Sequence, residues 1–109
     1  MPKRSTYLLL NDMIESAEKI FKYTENMTFE QFEADEKTID AVVRNFEIIG
    51  EAANRLDEEF RETHTDIDWI NIRGFRNRIV HHYFGIDNSI VWQIKGTFLH
   101  EMLAKLKQI

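Results

Sequence analysis

The chain has 109 residues, 43% hydrophobic and 30% charged, with one proline and four glycines; that is the size of one ordinary domain and a globular composition favouring helix over a turn-rich β architecture. With no cysteine it has no disulfide, thiolate metal ligand or cysteine nucleophile, and its net charge of −5 argues against broad, non-specific nucleic-acid binding, which needs a basic face. The apolar run Tyr7 to Leu10 is broken at once by Asn11 and Asp12, too short for a signal peptide, and no segment approaches the roughly 18 apolar residues of a membrane span. A soluble cytoplasmic protein is expected, with no membrane partner.

In chain order, the first helix is predicted from about Arg4 to Thr24, where Tyr7, Leu10, Ile14, Ala17, Phe21 and Thr24 alternate at steps of three and four. Thr28 and Gln31 then form the pattern of a capping box, opening a short helix that includes Phe32. Asp35 is placed to cap the next helix, in which Ile39, Val42, Phe46, Ile49, Ala53, Leu56 and Phe60 keep the same rhythm with no proline to interrupt it. Gly50 lies inside that stretch, where glycine costs about 1 kcal/mol relative to alanine; a close helix crossing is the expected reason. The polar loop THTDID follows, and a third main helix is expected from near Trp69 through RNRIVHHY to a C-cap at Gly85. Asp87 or Asn88 caps a last helix striped by Val91, Ile94, Phe98, Met102, Leu106 and Ile109. Four main helices and a short one give an all-α, up-and-down bundle of four to five helices in one domain spanning residues 1–109.

Positive charge concentrates at RNRIVHHY: from Trp69 to Ile86 there are three arginines, Arg73, Arg76 and Arg78, and no acidic residue. On a regular helix Arg76 and Tyr83 lie two turns apart on nearly one face, while Asn77 and His81 share a stripe rotated from it. A second copy of the chain related by a two-fold axis could bring two arginines and two histidines around one cleft. Arginine offers a fixed fork of donors to a phosphate, and histidine exchanges protons near neutrality. Together they suit attack of a ribose 2′-hydroxyl on the adjacent phosphodiester, with His81 as base or acid and Arg76 holding the phosphate; neither a metal nor a cofactor is called for. On spacing alone, a solvated face is the commoner origin of such a pair. The neighbouring His81 and His82 point about 100° apart on a helix, a poor metal site. Tyr83, Phe84 and Trp92 are either stacking platforms or packing residues; Trp69, Phe75 and Phe84 are expected to pack. His64 and His100 stand alone.

RNRIVHHY resembles the signature of the HEPN superfamily, an arginine followed after four to six residues by a histidine, and more narrowly the Arg-x4-His-x-Tyr form of HepT toxins, at Arg76, His81 and Tyr83. Asn77 fits the position after the arginine. The flanking blocks WINIRGFRNRIVHHYFGIDNSIVWQI and FEIIGEAANRL are similar to HepT-like proteins too, so the resemblance runs from the second long helix onward. It implies a homodimeric helical bundle and a metal-independent endoribonuclease acting on RNA as the toxin of a toxin–antitoxin pair. In such a protein Arg76 and His81 are catalytic; Asn77, Arg73, Arg78 and His82 support them or contact substrate. It further implies a partner, an MntA-like nucleotidyltransferase antitoxin that transfers AMP to Tyr83. The alternative is a non-catalytic helical module that binds a nucleotidyltransferase or a nucleotide through the same cleft.

Overall fold

Local capping chemistry starts most of the helices. In a computed structural model of the chain, residues 4–81 and 85–109 are described, His81 by its backbone alone. Helix α1 (Thr6–Tyr23) begins where Ser5 Oγ accepts the Leu8 N–H at 3.2 Å, and Arg4 grips Asp12 with two parallel bonds of 2.8 and 2.9 Å. Helix α2 (Phe29–Glu33) carries the expected capping box: Thr28 Oγ1 accepts from the Gln31 N–H at 3.2 Å, and Gln31 Oε1 accepts from the Thr28 N–H at 2.9 Å. Helix α3 (Glu36–Arg55) opens on Asp35, whose carboxylate accepts from both the hydroxyl and the backbone N–H of Thr38. Those bonds hold the Asp35 carboxyl below its ordinary range, because they favour the ionised form.

The two long helices, α1 and α3, pack on each other through Leu9, Met13, Ala17 and Ile20 on one side and Val42, Phe46, Ile49 and Ala53 on the other. The stripe expected on α1 is therefore rotated. Tyr7 is 75% exposed, Leu10, Ile14 and Phe21 are half-buried, and only Ala17 and Thr24 of the expected set lie fully inside. The stripe on α3 is buried as far as Leu56, where ψ turns to 147° and the helix stops. Phe60 falls on a separate short helix, α4 (Glu58–Thr63). Arg61 on α4 folds back to donate to the carbonyls of Ala53 and Leu56, satisfying backbone acceptors that the end of α3 leaves open.

After the THTDID loop, α5 (Trp69–Arg73) and α6 (Phe75–Ile79) follow with only Gly74 between them. Then comes a two-stranded antiparallel ladder, β1 (Val80–His81) with β2 (Gly85–Ile86), in the register Val80 to Ile86 and His81 to Gly85. Asp87 caps α7 (Asn88–Gly96), as expected, and α8 (Phe98–Leu106) completes the chain after a break at Thr97. Among the described residues the fold is thus all-α but for this two-stranded ladder, with the predicted third and last helices each broken. The core closes in edge-to-face aromatic contacts, Phe46 on Phe75 at 5.2 Å and Phe75 on Phe98 at 5.6 Å. Trp69 and Phe75 are buried, as expected of packing residues; Phe84 lies outside the described residues. Both isolated histidines stack on phenylalanines, His64 on Phe60 and His100 on Phe21, each at 4.1 Å. No helix among the described residues is long and apolar enough to cross a membrane.

Candidate functional site

Gly50 governs how the basic segment meets the long helix. A Cβ at that position would lie 3.2 Å from the Ile72 carbonyl oxygen and 3.9 Å from that of Arg73, so the backbone of α5 rests directly on α3, the close crossing that a mid-helix glycine predicted. This contact opens a cleft of about 370 Å³ with Glu47, Gly50, Glu51 and Asn54 on the α3 side and Arg73, Arg76 and Asn77 on the other. Asn54 stands one turn beyond Gly50, and its Oδ1 accepts a 2.6 Å hydrogen bond from Arg73 Nε.

Three of the residues singled out in the sequence, Arg73, Arg76 and Asn77, are therefore brought into one cleft, and all three are exposed. The side chains of Arg76 and Asn77 make no hydrogen bond or ion pair among the described residues, so their polar ends are available to a ligand. Arg78 is also exposed on α6 but does not line the cleft. Among the described residues neither Glu47 nor Glu51 pairs with an arginine of the cleft, which leaves carboxylates and guanidiniums facing one space.

The expectation of one straight helix through RNRIVHHY to Gly85 is wrong. The helix ends at Ile79, and Val80 is extended, with φ −101° and ψ 120°. Two β-branched residues in succession, Ile79 and Val80, favour that conformation. The backbone hydrogen bonds follow suit: the Ile79 carbonyl accepts from the Asp87 N–H at 2.8 Å, where a continuing helix would use the N–H four residues on. His81 consequently sits on a strand, and it does not share a helical stripe with Asn77. Gly85 is not a helix C-cap either; it pairs with His81 at a φ of 75°, which its missing side chain permits. His82 and Tyr83 lie outside the described residues, as does the side chain of His81.

Trp92 is half-buried against Phe32 and Phe29, at 5.1 and 6.1 Å, and Lys95 Nζ covers its ring at 3.8 Å. Burial lowers the Lys95 pKa. The ring is a packing element here rather than an open stacking platform. Among the described residues no group of three or more histidine and carboxylate side chains could hold a metal.

Glu47, Glu51 and Asn54 were not singled out in the sequence. Their signal was present in FEIIGEAANRL, where the three polar residues recur at steps of four and three around Gly50 and mark one polar face of an otherwise apolar helix.

Comparison with known proteins gives one consistent result. The profile of the family described as Ribonuclease HepT-like matches residues 13–109. A protein of Thermococcus cleftensis named "Probable ribonuclease HepT" is 38% identical over 107 residues, covering 98% of this chain and 97% of its own length. A Methanocaldococcus jannaschii protein provisionally named an RNase is 39% identical over 94 residues, 86% of this chain and 78% of its own. A second from the same organism, also provisionally named an RNase, is 33% identical over 109 residues, 100% of this chain and 90% of its own. No solved structure is a match.

Proposed function

Because the chain belongs to the HepT-like ribonuclease family, we propose that it is a metal-independent endoribonuclease, the toxin of a toxin–antitoxin pair, acting as a homodimer. The observation that carries this reading is Arg76, exposed in a cleft beside Asn77 and Arg73 and unpaired among the described residues, one turn before the strand that bears His81. A guanidinium without a carboxylate partner is suited to a phosphodiester and to the charge that grows on it during reaction. His81 takes the proton of a ribose 2′-hydroxyl as its oxygen bonds to the adjacent phosphorus. The bond to the 5′-oxygen breaks, that oxygen takes a proton from the protonated His81 or from water, and a 2′,3′-cyclic phosphate remains. Arg76 and His81 are the catalytic pair; Asn77, Arg73, Arg78 and His82 hold the substrate or support them. DNA has no 2′-hydroxyl and is not cut.

Control of the site falls to Tyr83. A partner nucleotidyltransferase of the MntA type transfers AMP from ATP to its phenolic oxygen, releasing pyrophosphate. Each adenylyl group adds bulk and negative charge to the basic segment of the chain, where it competes with substrate phosphate.

The test is cleavage of single-stranded RNA by purified protein, in EDTA, beside His81→Ala and Arg76→Ala. Loss of a proton-transfer group lowers the rate by about 10²- to 10⁴-fold, and loss of Arg76 by about 10²- to 10³-fold, as for other groups that stabilise developing charge. Wild-type protein co-expressed with the nucleotidyltransferase should gain AMP-sized mass at Tyr83 and lose activity. Equal cleavage by His81→Ala would overturn the catalytic assignment. No cleavage by any sample, with the partner still bound, would make the cleft a docking surface instead.

A further inference from the structure

Deepening the ribonuclease reading, on which it rests, we propose that Asn54 is a positioning residue that holds Arg73 as a second phosphate-binding cation for RNA, next to Arg76. The argument begins with the partner that Arg73 has. Its Nε donates to Asn54 Oδ1 at 2.6 Å, across the α3–α5 contact. That bond uses one of five guanidinium N–H donors and fixes the plane of the group, leaving the two terminal nitrogens free to form a fork toward a phosphate.

The neutrality of the partner matters. An aspartate at position 54 would fix the guanidinium equally well and cancel its charge; an amide fixes it and leaves the charge intact. Among the described residues Arg73 forms no ion pair, although Glu47 and Glu51 line the same cleft. An exposed arginine with no fixed partner spreads over many rotamers, and ordering it on binding RNA costs side-chain entropy. Asn54 removes much of that cost in advance. The backbone supports the arrangement, since Gly50 lets α5 approach α3 closely enough for side chains one turn along to meet. Arg73 and Arg76 enter one cleft from successive short helices, an arrangement suited to two consecutive phosphates of a single strand.

The experiment measures KM and kcat for a single-stranded oligoribonucleotide, and Kd for the same oligonucleotide carrying 2′-O-methyl groups, which cannot be cut. Wild type is compared with Asn54→Ala, Asn54→Asp, Arg73→Ala and the double variant Asn54→Ala/Arg73→Ala. Asn54 is exposed, and thermal melts establish that each variant folds. The expected result is that Asn54→Ala raises KM and Kd about tenfold, the effect of one lost charge-assisted contact, with kcat changed far less. Adding it to Arg73→Ala should cost nothing more, because the two act as a unit. Asn54→Asp should bind RNA as weakly as Asn54→Ala while melting no lower than wild type. Wild-type affinity in Asn54→Ala, or additive losses in the double variant, overturns the proposal. If wild type binds the methylated oligonucleotide but cuts no RNA, the ribonuclease reading fails, while the binding pattern still decides the role of Asn54.

Discussion

Arg61 illustrates what a single charged side chain can do when its charge is directed at backbone. Its guanidinium donates to the carbonyls of Ala53, at 3.0 Å, and Leu56, closing the end of α3 where the chain turns into α4. Hydrogen bonds with a charged donor contribute about 1.5–3 kcal/mol, so Arg61→Ala should destabilise the fold by that amount in denaturant titrations. Both bonds leave one nitrogen, Nη1, and an ammonium with three N–H donors can serve the same two acceptors, so Arg61→Lys should recover part of the loss. Failure of lysine to recover any stability would mean that the reach or the planarity of the guanidinium matters as well. Nothing in the sequence distinguishes Arg61 from an ordinary surface arginine, since its partners lie five and eight residues back and depend on the break at Leu56. By contrast, the caps at Thr28, Asp35 and Asp87 were legible, because each joins a side chain to a backbone N–H two or three residues ahead. The site divides the same way. Arg76, Asn77 and His81 stand out as residue types in a motif, whereas Asn54 acquires its role only through a neighbour 19 positions away.

Between elements, the crossing at Gly50 is the contact on which the cleft depends. Alanine there gains about 1 kcal/mol in helix propensity, but its Cβ would sit 3.2 Å from a backbone carbonyl of α5 that must then move. Overpacking typically costs about 1–3 kcal/mol, so Gly50→Ala should be neutral to destabilising by up to about 2 kcal/mol in denaturant melts, and Gly50→Leu should prevent the native α3–α5 contact. An alanine variant more stable by the full propensity gain would show that α5 can slide along α3. Gly50 could be read in advance because a glycine in a strong helix calls for a reason. The face of α1 could not. Leu9, Met13 and Ile20 compete with Tyr7, Leu10, Ile14 and Phe21; the helix is apolar over a wide arc, and only its packing on α3 selects which part is buried. The break after Ile79 was missed because helical periodicity was carried through two β-branched residues whose local preference, together with pairing to Ile86, favours a strand.

For the molecule as a whole, an acidic chain that binds RNA has to do so locally. The three arginines between Trp69 and Ile86 are the cationic contribution of one protomer's site region within a net charge of −5. Each phosphate neutralised on a single strand contributes about −0.7 to the slope of log K against log salt. One protomer engaging RNA through these three arginines gives a slope of about −2, and two protomers sharing one strand give about −4. Titration of the 2′-O-methyl oligonucleotide at several salt concentrations, with sedimentation of the complex, therefore tests assembly and recognition together. A slope near −4 with a mass of two chains per oligonucleotide supports a dimer whose basic segments converge on one substrate. A slope near −2 with a mass of two chains and two oligonucleotides means that each protomer binds its own strand and the two clefts act independently. A much steeper slope would mean that RNA runs over surface far from the cleft, which the acidic remainder of the chain opposes, since its carboxylates repel every phosphate that leaves the basic segment.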